Sequence, residues 1–344
     1  MQDPASLQND PSREPLGVVA VTSQPVKHVI VVLGMHRSGT SAVTRGLRVM
    51  GVDLGGQLLP AVVDDNDKGF WEDSDVVDLD EDVLAQVGET WDSLSPSLAR
   101  SLESADLGSW RRRGRDLLGE KTAGCDWFGM KDPRIVRLLP FWKPLFADLG
   151  FDVRYVLAVR HPLSVAASLT RRNGFVREKG LYLWLQHVIA AVQGTADLCR
   201  TMVDYDRLMA APAEELRRVA TDIGLSDRLD EAALREFCND FLEDGLRHTR
   251  FGFSDLTDDP RVPRLVSEVY ETVARIASGE LGIESDEAQR AFDAYASDLG
   301  LQSPALELAA ALDKANAALR QMLSERDVQL ARLAQAEAAQ RRRL

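Results

Sequence analysis

Residues 29–46 read Val-Ile-Val-Val-Leu-Gly-Met-His-Arg-Ser-Gly-Thr-Ser-Ala-Val-Thr-Arg-Gly, and no other stretch constrains the fold as much. An apolar, β-branched run from Val29 to Leu33 stops at Gly34, as a strand buried on both faces would. A short polar loop follows. A helix-like pattern opens at Thr40 and runs to about Met50, with Gly51 suited to its C-terminal cap. A strand, a glycine-bearing loop and a helix N-terminus in succession make an anion site. The loop N–H groups and the positive end of the helix point at one place.

The loop keeps the glycine spacing of the Walker A motif, G-x-x-x-x-G-K-[ST], at Gly34 and Gly39. Thr40 and Ser41 stand where that motif has Lys and Ser/Thr. The lysine that grips β- and γ-phosphates is missing, and a cation comes earlier, at Arg37. A nucleotide with a 5′-phosphate and something other than a triphosphate suits such a loop.

A second segment has a related design. A buried strand, Tyr155 to Val159, ends in Arg160, and Pro162 then fits the first turn of a new helix. Ser168 follows about two turns into that helix, so the strand end and the helix face can converge on one phosphate.

Together these segments resemble the PAPS-dependent sulfotransferases, PAPS being 3′-phosphoadenosine 5′-phosphosulfate. In that family a Walker-like loop holds the 5′-phosphosulfate, and an R-x-P-x5-S strand–helix holds the 3′-phosphate. Here the second motif is Arg160, Pro162 and Ser168. The chain looks most like bacterial members similar to carbohydrate sulfotransferases. It carries their G-M-H-R-S-G-T-S (Gly34–Ser41), G-F-W-E (Gly69–Glu72) and K-D-P-R (Lys131–Arg134) blocks, over roughly residues 27–255.

The resemblance implies roles for particular residues. Arg37 aligns with the loop cation that meets the transferred sulfuryl group. Always charged, it stabilises charge and gives up no proton. Ser38, Gly39, Thr40 and Ser41 would supply donors to the 5′-phosphate, and His36 either joins them or is a packed or solvent-facing loop histidine. Arg160 and Ser168 would hold the 3′-phosphate. Tyr205, in Val203-Asp-Tyr-Asp-Arg-Leu, matches a Y-E-x-L block and stands near the adenine or in the core. Glu72 is the expected general base, with Asp67 the alternative and His161 a weaker one. Phe70 and Trp71 would half-bury Glu72, and either stack on a sugar or pack in the core. Lys131 either reaches the sulfuryl group or an acidic acceptor, or pairs with Asp132 or another acid. His248, in Leu246-Arg-His-Thr-Arg250, is a candidate for the acceptor side.

The 344 residues, 45% of them hydrophobic, are enough for one large α/β domain with appendages, or for two small domains. A net charge of −13 argues against nonspecific nucleic-acid or anionic-membrane binding, so local cations must hold an anionic ligand. Cys125, Cys199 and Cys238 have neither paired nor metal-like spacing, which fits a reducing compartment. No run approaches the ~18 apolar residues of a spanning helix, and the N-terminus has no signal-peptide core. The expectation is a soluble, cytoplasmic protein that needs no metal.

Along the chain, residues 1–26 read as a disordered tail. Residues 55–75 read as a long loop and 76–118 as helical. Phe128–Lys131 is a strand and Ile135–Leu149 a helix. Strand Val153–Val159 precedes helix Leu163–Arg172. A strongly apolar helix follows at Leu181–Leu198, then strand Thr201–Val203, and helices fill most of 213–300. Alternating β and α elements imply a P-loop-type parallel sheet flanked by helices, with the ligand at the carboxyl ends of the strands. Residues 27–303 form the expected sulfotransferase domain. Residues 304–344 form a helical extension with an approximate stripe of Leu308, Leu312, Leu319, Leu323, Leu330 and Leu333. That extension either dimerises the chain as a coiled coil, or packs on its own domain or frays in solvent.

The expected function is transfer of a sulfuryl group from PAPS, leaving the product PAP, to an acceptor hydroxyl on a sugar, glycolipid or lipopolysaccharide precursor. The competing readings are a P-loop nucleotide kinase or other NTPase, and a non-catalytic protein that binds a partner through its C-terminal helix. The missing Walker lysine and the Arg160/Ser168 pair weigh against the first. The second leaves both phosphate motifs unexplained.

Overall fold

A computed structural model describes residues 26–62, 66, 68–242 and 251–341, so the expected tail lies outside the described residues but for its last residue. The chain runs β1 (His28–Leu33), α1 (Thr40–Leu47), a 3-10 turn (Arg48–Met50), α2 (Ser74–Gln86), α3 (Leu98–Ser104) and α4 (Gly108–Thr122). Next come β2 (Trp127–Lys131), α5 (Ile135–Asp148), β3 (Asp152–Val159), α6 (Pro162–Asn173), α7 (Arg177–Gly194) and β4 (Arg200–Asp204). The rest is helical: α8 (Tyr205–Ala210), α9 (Pro212–Asp222), α10 (Glu231–Glu236), a π-helical turn (Phe237–Phe241), α11 (Phe253–Thr257), α12 (Arg264–Ala277), α13 (Asp286–Leu301) and α14 (Ser303–Arg341).

The four strands form one parallel sheet in the order β2-β1-β3-β4. Alternate residues of β1 feed two cores. Val29, Val31 and Leu33 pack with Phe141 and Trp142 of α5 and Trp184 of α7, while Ile30 and Val32 pack with Val43 and Leu47 of α1 and Leu216 of α9. Burial on both faces explains the unbroken apolar run, each such side chain contributing about 1.5–3 kcal/mol.

The stretch 76–118 is not one helical region. α2 ends at Gln86, Gly88 turns the chain at φ +70°, and residues 89–97 form a non-helical segment before α3. Glycine and the Ser/Pro-rich run at 93–97 break the helical period there. α2 also begins earlier than expected, because the Asp73 side chain caps it by accepting from the Asp75 N–H at 3.1 Å. The apolar helix α7 starts at Arg177 and ends at Gly194. Gly51 adopts the left-handed capping conformation after the 3-10 turn.

Because every strand runs the same way, the loop after β1, Lys131 at the end of β2, Arg160 after β3 and Tyr205 after β4 emerge at one edge of the sheet. The chain leaving β1 passes to β2 on one side, and the chain leaving β3 passes to β4 on the other. The crevice between β1 and β3 is therefore the switch point of the sheet, where open α/β folds bind ligands.

α14 has 39 residues and is about 58 Å long at ~1.5 Å per residue. Its Leu306 and Ala310 are buried on the body, whereas Leu312, Leu319, Leu323, Leu330 and Leu333 are exposed. Among the described residues, no helix is long and apolar enough to cross a membrane.

Candidate functional site

Two close approaches shape the loop after β1. A Cβ on Gly34 would fall 2.4 Å from the carbonyl oxygen of Ala158 on β3. A Cβ on Gly39, which has φ +81°, would fall 2.1 Å from the Tyr205 ring. The Ser38 N–H donates to the Met35 carbonyl at 3.1 Å and closes the turn, and the Ser38 side chain is buried. Arg37 has φ +70°, uncommon for a residue with a side chain, and its Nε donates to Ser168 Oγ at 2.8 Å. Gly39 is the N-cap of α1 and has no side chain to cap it, so the helix opens on the loop without a side-chain cap.

From the other side, β3 is followed at once by Arg160, whose guanidinium lies 4.6 Å over the Tyr205 ring and donates to the Arg37 carbonyl at 3.3 Å. His161 caps α6: its Nδ1 accepts from the Leu163 N–H at 3.3 Å, which leaves the ring proton on Nε2 to donate to the Gly252 carbonyl at 3.2 Å. Burial holds this imidazole below its usual pKa, so it is neutral near pH 7. His161 packs against Phe251 and Tyr270. Along α6, Ser164, Ser168 and Arg172 follow at four-residue intervals on the face that lines the cleft, with Arg171 beside the last.

Lys131, at the end of β2, brings a second cation beside the loop. Its Nζ lies 2.5 Å from Glu72 Oε1 and 3.4 Å from Ser41 Oγ. The two side chains are 1% and 7% exposed, so this is a buried pair. Ser41 in turn donates to the Phe70 carbonyl at 2.9 Å and accepts from Asn66 at 3.1 Å. Asp132 does not pair with Lys131. It takes the Arg134 guanidinium and backbone N–H, and Arg134 also reaches Glu81. Trp71, held at φ +57°, packs on Arg45, Arg48 and Phe241, while Phe70 lines the cleft.

His36, Arg37, Gly39, Thr40, Ser41, Glu72, Lys131, Arg160, Ser168 and Tyr205 all line one cleft of about 140 Å³, and Ser38 lies buried beneath it. His36 stacks at a tilt on Trp91, with ring centres 4.3 Å apart. Burial, and then Arg134 and Arg172, push its imidazole well below its usual pKa. His36 Nε2 and Ser164 Oγ are enclosed and have no hydrogen-bond partner among the described residues. Two orphaned polar groups beside several cations fit an anionic ligand rich in acceptor oxygens.

The sequence reading missed Asn66, Ser164, Arg171, Arg172 and Phe241. The spacing of Ser164, Ser168 and Arg172 along α6 was a readable signal, whereas Asn66 and Phe241 reach the cleft through loop and π-turn geometry that has no local signature. Asp67 and His248 lie outside the described residues. Among the described residues no group of three or more His, Cys, Asp or Glu stands together as a metal cage.

No protein-family model and no curated protein matches the chain. Among solved structures it is similar to the sulfotransferase domain of the Synechococcus olefin synthase, with a TM-score of 0.38 and 16% identity over 74% of this chain and 96% of that one. It is also similar to retinol dehydratase in complex with androsterone and inactive cofactor PAP, with a TM-score of 0.31 and 14% identity over 79% and 80% of the two chains.

Proposed function

We propose that this chain transfers a sulfuryl group from PAPS to an acceptor hydroxyl by in-line displacement. The observation that carries the reading is the junction of the two phosphate motifs: Arg37 donates to Ser168, and Arg160 donates to the Arg37 carbonyl. A Walker-like loop without its lysine and an arginine–serine strand–helix thus share one cleft, which suits a nucleotide with phosphates at both the 5′ and 3′ positions.

In this reading Ser38 to Ser41 and the α1 N-terminus take the 5′-phosphate, while Arg160 and Ser168, with Ser164, take the 3′-phosphate. Tyr205 supports Arg160 and borders the nucleoside. As the acceptor oxygen bonds to sulfur and the sulfur–oxygen bond to the leaving phosphate breaks, Arg37 and Lys131 meet the charge that develops. Glu72 takes the acceptor proton. Lys131 engages Oε1, and a carboxylate has a second oxygen for that task. Residues 27–303 are the catalytic unit and α14 is its extension. Sugar, glycolipid and lipopolysaccharide-precursor hydroxyls form the first acceptor set to try.

The test is transfer of labelled sulfur from PAPS into fractionated cell extract, followed by mass spectrometry of the labelled product, with and without chelator. Transfer that survives chelation supports the reading. A magnesium-dependent phosphoryl transfer from ATP in its place would assign the cleft to a kinase.

A further inference from the structure

The base of α14 is tied to the segment that follows α2. Lys314 Nζ lies 3.0 Å from Glu89 Oε1, and Glu89 is buried. Lys179 Nζ lies 2.8 Å from both Asp92 Oδ2 and Asp313 Oδ2, and so joins that segment, α7 and α14. Ser95 Oγ donates to Glu307 Oε2 at 3.3 Å. The same segment is held from the body: Arg137 donates to the carbonyls of Ser93 and Ser95, and Gln186 donates to that of Leu94 at 2.8 Å.

Trp91 sits between these anchors. One neighbour is the His36 ring at 4.3 Å, and another is the Arg172 guanidinium, 5.5 Å from the indole centre. Trp91 does not line the cleft, but His36 and Arg172 both do. Close-packed side chains pass on displacements because they have no room to absorb them. We propose that Trp91 is a positioning residue for the His36 side of the cleft, and that the Glu89–Lys314 ion pair and the Asp92–Lys179–Asp313 bridge, which tie its segment to the base of α14, set its place. The long C-terminal helix is then coupled to ligand binding through Trp91, His36 and Arg172. This rests on the proposed function only for the identity of the nucleotide used as a probe.

The test uses the full chain, labelled with nitrogen-15, and follows the indole N–H signals of its six tryptophans. Trp91→Phe assigns one signal. Lys314→Glu should move the Trp91 signal and the His36 ring signals while those of Trp127 and Trp142 stay in place. The swap Glu89→Lys with Lys314→Glu should bring them back. Lys314→Met removes the charge without reversing it, should move the same signals, and decides the matter if the reversal does not fold. PAP is the titrated ligand: its affinity should fall on the order of five-fold in the single variants and recover in the swap, the low end of a typical coupling between sites. Unmoved Trp91 signals, shifts that the swap does not restore, or unchanged PAP affinity would each overturn the coupling. If PAP binds none of the proteins, the functional reading fails, and the tryptophan signals still decide whether α14 sets Trp91.

Discussion

Arg37 and Ser168, 131 positions apart in the chain, meet through a 2.8 Å bond from Nε to Oγ, which closes the loop after β1 onto helix α6. The two phosphate motifs are therefore joined before any ligand arrives. A cleft whose donors already face one another loses less freedom on binding, so more of the gross contact energy appears as affinity.

The first consequence concerns ligand choice. PAP should bind far better than AMP or ATP, because the proposed role of Arg160 and Ser168 is to hold a second phosphate. A charge-assisted hydrogen bond of ~1.5–3 kcal/mol gives about ten-fold discrimination or more. Calorimetry with the three nucleotides measures it. Arg160→Ala should remove most of the preference and leave the melting temperature nearly unchanged. Equal affinity for PAP and AMP in the wild-type chain would sink the assignment.

Arg37 should act on turnover more than on binding. In the proposed reaction it stands in the loop where charge develops, so Arg37→Ala should lower kcat by roughly 10²-fold, the scale for one lost preorganised charge stabiliser. Arg37→Lys restores a charge but cannot repeat the bond from Nε to Ser168. It should recover only part of the rate. Near-normal turnover of Arg37→Ala at saturating PAPS would remove the residue from the chemistry.

Much of this was legible because it is local. The β-branched run, Gly34 and Gly39 specify β1 and its loop, and Pro162 marks the start of α6 within the first residue of the helix. What joins them is not local. The pairing of Lys131 with Glu72 depends on β2 lying beside β1, and neither residue carries a mark of the other in the sequence. Trp91 is hidden for a similar reason: its segment looked helical, and only the break at Gly88 sends the indole toward His36. For α14 the leucine stripe supported more than one reading; the structure docks Leu306 and Ala310 on the body and leaves the later leucines exposed.

Acid should weaken the fold through its buried histidines. His36, His161 and His187 all have depressed pKa values, chiefly from burial, with His187 pushed down to about 3. Such a group takes up its proton only on unfolding. Its contribution to stability is therefore complete above the unfolded value of about 6.5 and is lost as pH falls below it. For His187 the loss is on the order of 1 kcal/mol by pH 6. Burial lifts the carboxyls of Asp80, Asp132 and Asp204, which gives the opposite slope. The clean measurement is thus the difference between wild type and His187→Leu in denaturant titrations at pH 7.5 and 6.0, where those carboxyls cancel. The variant should lose less stability on acidification, and identical pH dependence would show that His187 is not held neutral.

The buried pair of Glu72 and Lys131 separates chemistry from stability. Lys131→Met leaves an unpaired carboxylate in a site only 7% exposed, at a cost of about 3–5 kcal/mol. Glu72→Gln keeps an acceptor for Lys131 but cannot take the acceptor proton. It should fold, keep PAP affinity within about two-fold, and lose roughly 10²–10⁴-fold in kcat together with the acidic limb of the pH–rate profile. The double variant Glu72→Gln/Lys131→Met removes both charges, so it should regain most of the stability lost in Lys131→Met and yet stay inactive. Thermal melting and single-turnover transfer from PAPS on the four proteins decide between roles. A stable and active double variant would reduce the pair to packing. Normal activity in Glu72→Gln beside an inactive Asp67→Asn would move the base to Asp67.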